Sequence, residues 1–362
     1  MQLASGDLWA GAESQLLHLC RHLARNPELR ISVVLLNEGE LARRLREAQI
    51  DVEVIDESRL GFRALLKALQ AIVRRDRPDV IHTHRSKENL LGALAAARSG
   101  ARSLRTVHGS LEQDTGARSS WRRRVSTKLD TTLVARLQQC LVAVSAPLRR
   151  ELERHTWARR IELVHNGIDA QHVATLADAP APLRVTAPRA ICIVGRLVPV
   201  KRVDVFLRAA AALRGTRPEV AYYVIGDGPL REPLQQQARE LGIADACIFT
   251  GHLDNCLPLL RQMSAVLITS DHEGTPMTSL EALALGVPLV SHAVGGLPDV
   301  LRGATRSRLV ASQDPEEFAR QTDAVLAART GASTGSELPD EYRVENAARR
   351  HAQIYQSLAE VS

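Results

Sequence analysis

The chain has 362 residues, enough for about two domains at roughly 150 residues each. Its 45% apolar and 24% charged residues exclude collagen-like, low-complexity and disulfide-scaffold classes. Aromatic residues make up 3%, too few for the exposed ring platforms on which single-stranded bases or sugars stack. The formal net charge of +6 is unevenly spread: residues 1–165 hold 28 Lys+Arg against 19 Asp+Glu, and the remainder 19 against 22. That asymmetry points to an anionic partner for one half, either a phosphate-bearing substrate or a negatively charged membrane surface, although solvated arginine faces account for the same count.

Five cysteines (Cys20, Cys140, Cys192, Cys247, Cys256) include no C-x-x-C pair, which reads as reduced, buried thiols in a cytoplasmic protein. No basic segment followed by an apolar stretch opens the chain, and no run of about 18 apolar residues occurs. The expectation is a cytoplasmic protein, peripheral at most to the inner face of the cell membrane.

In chain order, residues 1–7 read as the end of a strand entering a loop, so the first strand is expected to be largely missing, and Gly11 opens a helix through Arg25. Short Val/Ile/Leu runs follow at 31–36, 52–55, 80–83, 103–107, 140–144 and 161–164. In the second half they lie at 190–194, 220–225, 246–250, 265–268, 288–291 and 308–310. Amphipathic stretches of about 12 to 18 residues separate them, the pattern of parallel sheets with crossover helices. The predicted fold class is therefore α/β, with two doubly wound Rossmann-like domains, 1–170 and 189–340, facing a central cleft. Residues 171–188 read as a linker. The final segment, 341–362, reads as a helix that packs back on the first domain or lies on the surface.

The strongest candidate site runs from Asp271 through Glu273, Gly274, Thr275, Pro276 and Met277 to Glu281, directly after an apolar run. Pro276 suits a first helical turn, so the amides of 274–277 would face an anion. The two glutamates would take hydroxyls of a sugar and a ribose; helix capping by Glu273 is the plainer alternative. Arg196 and Lys201 follow another strand and suit a diphosphate, one as a fork and the other as a point charge. Gly226-Asp-Gly-Pro and Thr250-Gly-His252-Leu253 are strand-end turns fit to line a base pocket or simply to turn the chain. In the first half, His84 with Arg85 ends one strand and His108 another. No Asp-x-Asp occurs, so the expectation is that cationic side chains and helix N-termini, with no metal and no cofactor, neutralise a leaving diphosphate.

The ordered set Gly11-Ala-Glu13, Thr106-Val-His108-Gly109, Val144-Ser145, Asn166-Gly-Ile-Asp169, Gly195-Arg196 with Lys201, Gly226-Asp-Gly-Pro229, and Glu273 with Glu281 resembles the retaining glycosyltransferases of family four. The match extends over nearly the whole chain. The resemblance implies the GT-B fold and transfer of a hexosyl unit from a UDP- or GDP-sugar to a saccharide or lipid-linked acceptor, in cell-surface polysaccharide or glycolipid synthesis. It implies that Arg196 and Lys201 grip the diphosphate, Glu281 accepts ribose hydroxyls, and Glu273 faces the transferred sugar with the 274–277 backbone around it. It places His108 near the sugar ring, the Gly11 backbone over the diphosphate, and the base near Gly226, His252 and Leu253. One position departs: Ala10 stands where the family usually has a second glycine.

On the acceptor side the expected residues are His84, Arg85 and Trp121. Trp121, Val125, Leu129 and Leu133 recur every four residues beside a basic flank, so 121–136 is predicted to be an amphipathic helix that docks on an anionic membrane or packs on the core. Two other readings stay open: a nucleotide-sugar epimerase or phosphorylase of related architecture, and a non-catalytic subunit that binds nucleotide sugars. No nucleic-acid partner is expected.

Overall fold

Strands buried on both faces must draw every second residue from each of two helical layers, and the sequence around Val33 shows how. In the computed structural model, which describes residues 1–7, 11–109, 132, 134–328 and 335–360, Val33 and Leu35 pack with Leu16, Leu17, Leu41 and Leu45. Their neighbours Val34 and Leu36 pack on the opposite face with Leu65, Leu69, Ile72 and Leu91. The period of two puts consecutive apolar residues into different cores. The chain divides into two compact units, Met1–Gly167 with Glu341–Ser362, and Ile168–Asp340.

Unit 1 holds a seven-stranded sheet built from β1 (Gln2–Ala4), β2 (Ser32–Leu35), β3 (Asp51–Val54), β4 (Val80–Thr83), β5 (Arg102–Val107), β6 (Cys140–Ala143) and β7 (Ile161–Leu163). The order is β3-β2-β1-β4-β5-β6-β7, and every pairing is parallel. Residues 1–7, read as the end of a strand entering a loop, hold the short β1. β1 has only three residues but lies mid-sheet, with Leu3 opposite Val34 on one side and Thr83 on the other. Pairing on both edges satisfies its backbone groups, so three residues suffice.

The predicted linker also changes. Ala170–Ala177 is a helix, with the Asp169 side chain accepting from His172 N at 2.9 Å, a side-chain N-cap. Its apolar face is only Val173 and Ala177, too sparse to register as periodicity. The closing helix, Val344–Ala359, belongs to unit 1. Ile354, Tyr355 and Leu358 join Leu19, Leu23, Leu104 and Val142 in one core cluster. Much of the predicted helix 121–136, Trp121 included, lies outside the described residues.

Unit 2 repeats the plan with β8 (Arg189–Val194), β9 (Val220–Ile225), β10 (Cys247–Gly251), β11 (Ala265–Ile268), β12 (Leu289–His292) and β13 (Arg308–Val310). Their order is β10-β9-β8-β11-β12-β13. Phe206 and Leu213 from helix Val203–Arg214 meet Phe318 and Val325 from helix Pro315–Ala328 over Ile191, Val224 and Leu267. In each sheet the order reverses once, at β1/β4 and at β8/β11. Crossovers there run to opposite sides, and loops at the carboxyl ends of those strands part to leave room for a ligand. Among the described residues no helix is long and apolar enough to cross a membrane.

Ile354 has no exposed surface. Ile354→Ala is expected to cost about 2–4 kcal/mol, read as a lower urea midpoint of the full chain. An unchanged midpoint would mean that the closing helix is not part of the unit 1 core.

Candidate functional site

In unit 2 the site begins where β8 and β9 end side by side. Gly195 N donates to Ile225 O and Gly226 N to Gly251 O, both at 2.9 Å. Gly226 has φ 135°, and a Cβ there would stand 2.0 Å from Gly195 O. Any larger residue would push the two strand ends apart. Leu197 N donates to Asp227 O at 2.9 Å and Leu230 N to Leu197 O at 3.1 Å. These bonds brace the loop on both sides of Arg196, whose side chain is exposed and has no ion pair among the described residues.

The chain then makes a short 3-10 turn, Pro199–Lys201, and passes through Arg202 at φ 48°. A left-handed arginine costs about 1–2 kcal/mol, and its surroundings hold it there. Thr269 Oγ1 donates to Arg202 O at 2.8 Å, and the guanidinium binds Asp204 at 3.0 Å, Asp271 at 3.1 Å, and Gln313. Asp271 N donates to Val200 O at 2.9 Å. Arg202 is thus tied inward, which leaves Lys201 as the cation of this loop that faces Glu273.

Lys201 Nζ lies 2.6 Å from Glu273 Oε1, which also accepts from Ser270 Oγ at 2.6 Å. Glu273 therefore does not cap the following helix. Its backbone is backed by Gly295, where a Cβ would stand 1.7 Å from Glu273 O at φ 58°, and by Gly296 N, which donates to Gly274 O at 2.7 Å. The helix runs Met277–Ala284, so Pro276, expected in the first turn, is the N-cap instead. Its φ of −68° with ψ 129° is extended, because the chain must leave Thr275, itself buried, before it can wind. The first-turn amides of Met277 and Thr278 have no backbone acceptor among the described residues, which leaves partial positive charge at that end.

Glu281 lies half-buried on this helix. Burial pushes its carboxyl up to about 7, since a desolvated carboxylate prefers its proton. His252 is exposed, with Nε2 3.6 Å from Asp254, and Leu253 is half-buried. Gly226 and the β10 end that carries His252 are joined by the Gly226–Gly251 bridge.

In unit 1, His84 and His108 follow the adjacent strands β4 and β5 and come together, with His84 Nδ1 3.3 Å from His108 Nε2. Burial pushes the His108 imidazole down to about 4 and that of His84 well below its usual range. Gly11 starts helix Gly11–Leu23 and is exposed. Arg85 is turned toward that helix, with Nη2 2.5 Å from Glu13 Oε1 and Nη1 3.4 Å from Asp7. Among the described residues no cluster of three or more His, Cys, Asp or Glu is placed to hold a metal ion.

Several participants escaped sequence reasoning. Gly295 and Gly296 follow β12 as the other strand-end turns follow theirs, and that recurrence was a usable signal. His82 precedes His84 by two residues, hence shares its face; the rings lie 4.4 Å apart. Beyond its neighbour Asp204, the part played by Arg202 had no local signal, because its other partners come from residues 269–313.

A family model described as glycosyl transferases group 1 matches residues 178–349, and one described as glycosyltransferase family 4 matches residues 9–172. The D-inositol 3-phosphate glycosyltransferase of Streptomyces coelicolor is 29% identical over 308 residues, 76% of this chain and 65% of that protein. The chain therefore spans slightly less than two thirds of that relative's length. Two solved structures share the fold. HepE of Anabaena, in complex with UDP-glucose, has TM-score 0.74 and 19% identity over 100% of this chain and 99% of its own. Sucrose-phosphate synthase from Thermosynechococcus elongatus has TM-score 0.79 and 19% identity, again over 100% and 99%.

Because the Glu281 carboxyl sits above its ordinary range in the folded chain, folding favours its protonated form. The resulting penalty is absent below the unfolded value near 4.5, grows as pH rises, and is complete above about 7. Glu281→Gln is therefore expected to stabilise the ligand-free protein by about 1–3 kcal/mol at pH 8, with the difference vanishing toward pH 4. Melting temperatures of both proteins across that range check it; equal stability at pH 8 would contradict the burial argument.

Proposed function

Since the chain belongs to the group 1 glycosyl transferases and has the GT-B fold of two Rossmann-like domains, we propose that it transfers a hexosyl unit from a nucleotide-diphosphate sugar to a saccharide or lipid-linked acceptor, with retention at the anomeric carbon. The observation that carries this reading is the arrangement at the end of β8. The uncommitted guanidinium of Arg196 and the Lys201–Glu273 pair border a backbone cradle that admits no side chain at Gly226. The complex of HepE with UDP-glucose supports a nucleotide sugar as donor.

In this reading the diphosphate takes Arg196 by its fork and draws Lys201 from Glu273. The freed Glu273 carboxylate then accepts from hydroxyls of the sugar. Glu281 accepts from the ribose, an interaction that favours its ionised form, so binding near pH 6.5 releases a proton. As the anomeric C–O bond breaks, negative charge grows on the leaving diphosphate. Groups fixed before the reaction stabilise that charge more than they stabilise the substrate, and this lowers the barrier. The acceptor oxygen bonds to the anomeric carbon from the face that the diphosphate leaves, and its proton passes to the leaving phosphate oxygen. Fixed cations do this work without a metal ion, and no protein nucleophile is needed.

We place the activity in synthesis of cell-surface polysaccharide or glycolipid, at the cytoplasmic face of a membrane. The excess of Lys+Arg in residues 1–165 supports docking on anionic lipid, which salt-sensitive flotation with anionic vesicles tests.

Arg196→Ala and Lys201→Ala are each expected to weaken UDP-sugar binding about 10–100-fold, measured by calorimetry together with the thermal shift on ligand addition. Unchanged affinity in both would remove these residues from the donor site. Transfer should persist in EDTA; activity lost to chelation and restored by manganese would overturn the metal-free reading.

A further inference from the structure

The two oxygens of the Glu273 carboxylate are used unequally. Oε1 accepts from Lys201 Nζ and from Ser270 Oγ, each at 2.6 Å. Oε2 accepts from no group among the described residues, and it is not one of the buried polar atoms left unpaired, so it keeps an open face. A carboxylate oxygen only accepts. One oxygen of this group is therefore occupied, and the other is ready for a donor on an entering ligand. Ser270, Glu273 and Lys201 all belong to unit 2.

The two donors respond differently to a diphosphate. Lys201 is a cation on a flexible stem with a side chain 28% exposed, so an anion in the site competes with Glu273 for it. Ser270 is neutral and buried, so the same anion has little pull on it. Its loop, directly after β11, is fastened at three consecutive residues. Gln313 Nε2 donates to Thr269 O at 3.1 Å and to Asp271 Oδ1 at 2.7 Å. Asp271 N donates to Val200 O at 2.9 Å. Between them His292 Nδ1 lies 2.9 Å from Ser270 O; a carbonyl only accepts, so Nδ1 carries the proton and donates. Segments after β8, β12 and β13 thus fix the Ser270 hydroxyl before any ligand arrives.

A serine and a glutamate three residues apart can bond simply to shape a turn. Either carboxylate oxygen would serve that purpose. Here the bond falls on the oxygen that also holds the lysine, which leaves Oε2 free. Without the serine, a Glu273 carboxylate that has lost Lys201 is free to turn about its last bond. It can also follow the lysine toward the phosphates, where like charges repel.

We propose that Ser270 is a positioning residue for Glu273: its hydroxyl retains Oε1 when the diphosphate draws Lys201 away, so that Oε2 stays presented to the hydroxyls of the transferred sugar. The inference rests on the proposed function for the diphosphate and the sugar, and on geometry alone for the retained bond. It divides the labour of the site. Lys201 answers to the phosphates, whereas Ser270 answers to the sugar through Glu273.

The test uses the full chain. Lys201→Ala imitates withdrawal of the lysine without any ligand, and its crystal structure is expected to keep Glu273 Oε1 within hydrogen-bond distance of Ser270 Oγ. A carboxylate turned away from Ser270 overturns the proposal. Calorimetry with UDP and with UDP-glucose separates the phosphates from the sugar. Ser270→Ala is expected to bind UDP within about twofold of wild type and UDP-glucose about tenfold more weakly. In a Glu273→Ala background the same substitution should change neither affinity, since Ser270 acts through that carboxylate. Equal effects of Ser270→Ala on both ligands, or losses that add in the double variant, also overturn the proposal. Wild type that binds neither UDP nor UDP-glucose defeats the proposed donor instead, and the crystal structure of Lys201→Ala then decides what Ser270 holds.

Discussion

Lys201 and Glu273 are 72 residues apart in the chain and 2.6 Å apart at their charged atoms, and the organisation of unit 2 around the candidate site follows from holding them so. The two belong to the loops after β8 and β11, neighbours in the sheet at the place where its order reverses. A half-buried cation needs a counter-charge when no ligand is present, and an anion that enters can exchange with that counter-charge rather than compete with water. The surrounding devices keep the pair from drifting. Arg202 is fastened inward, Thr269 and Asp271 bond the backbone of the preceding turn, and Gly295 lets a second loop press on Glu273 from behind.

Unit 1 solves a different problem. Its sheet also reverses order at a central strand, and beside the Arg85–Glu13 ion pair the groups gathered near that point are neutral imidazoles, an amide and a phenol. Burial makes charge expensive there, so hydrogen bonds between neutral groups hold the arrangement. The closing helix supplies Tyr355 and His351 to it, which ties the last residues of the chain to the first.

Much of the plan was legible because it rests on short-range pattern. Parallel strands buried on both faces write themselves as apolar runs, and among the described residues the twelve strands other than β1 lie at or within a residue or two of those runs. Strand-end glycines and the cations after β8 were visible for the same reason, since a loop at a sheet edge has little apolar content to hide them. The three residues of β1 read only as the end of a strand, because length is a weak cue when pairing on both sides supplies the stability. The helix after Asp169 was misread because alanine favours helix without marking a face.

Sequence by itself determined the α/β class, the two sheets, and which residue types wait at the strand ends, because those depend on period and local chemistry. Only the tertiary structure decided partners: that Lys201 rather than Arg202 meets Glu273, that Arg85 turns to Glu13, and that Gln2 lies against His84. Each of those outcomes is a choice among several groups of suitable charge, and only the distances that folding imposes between remote segments can make it.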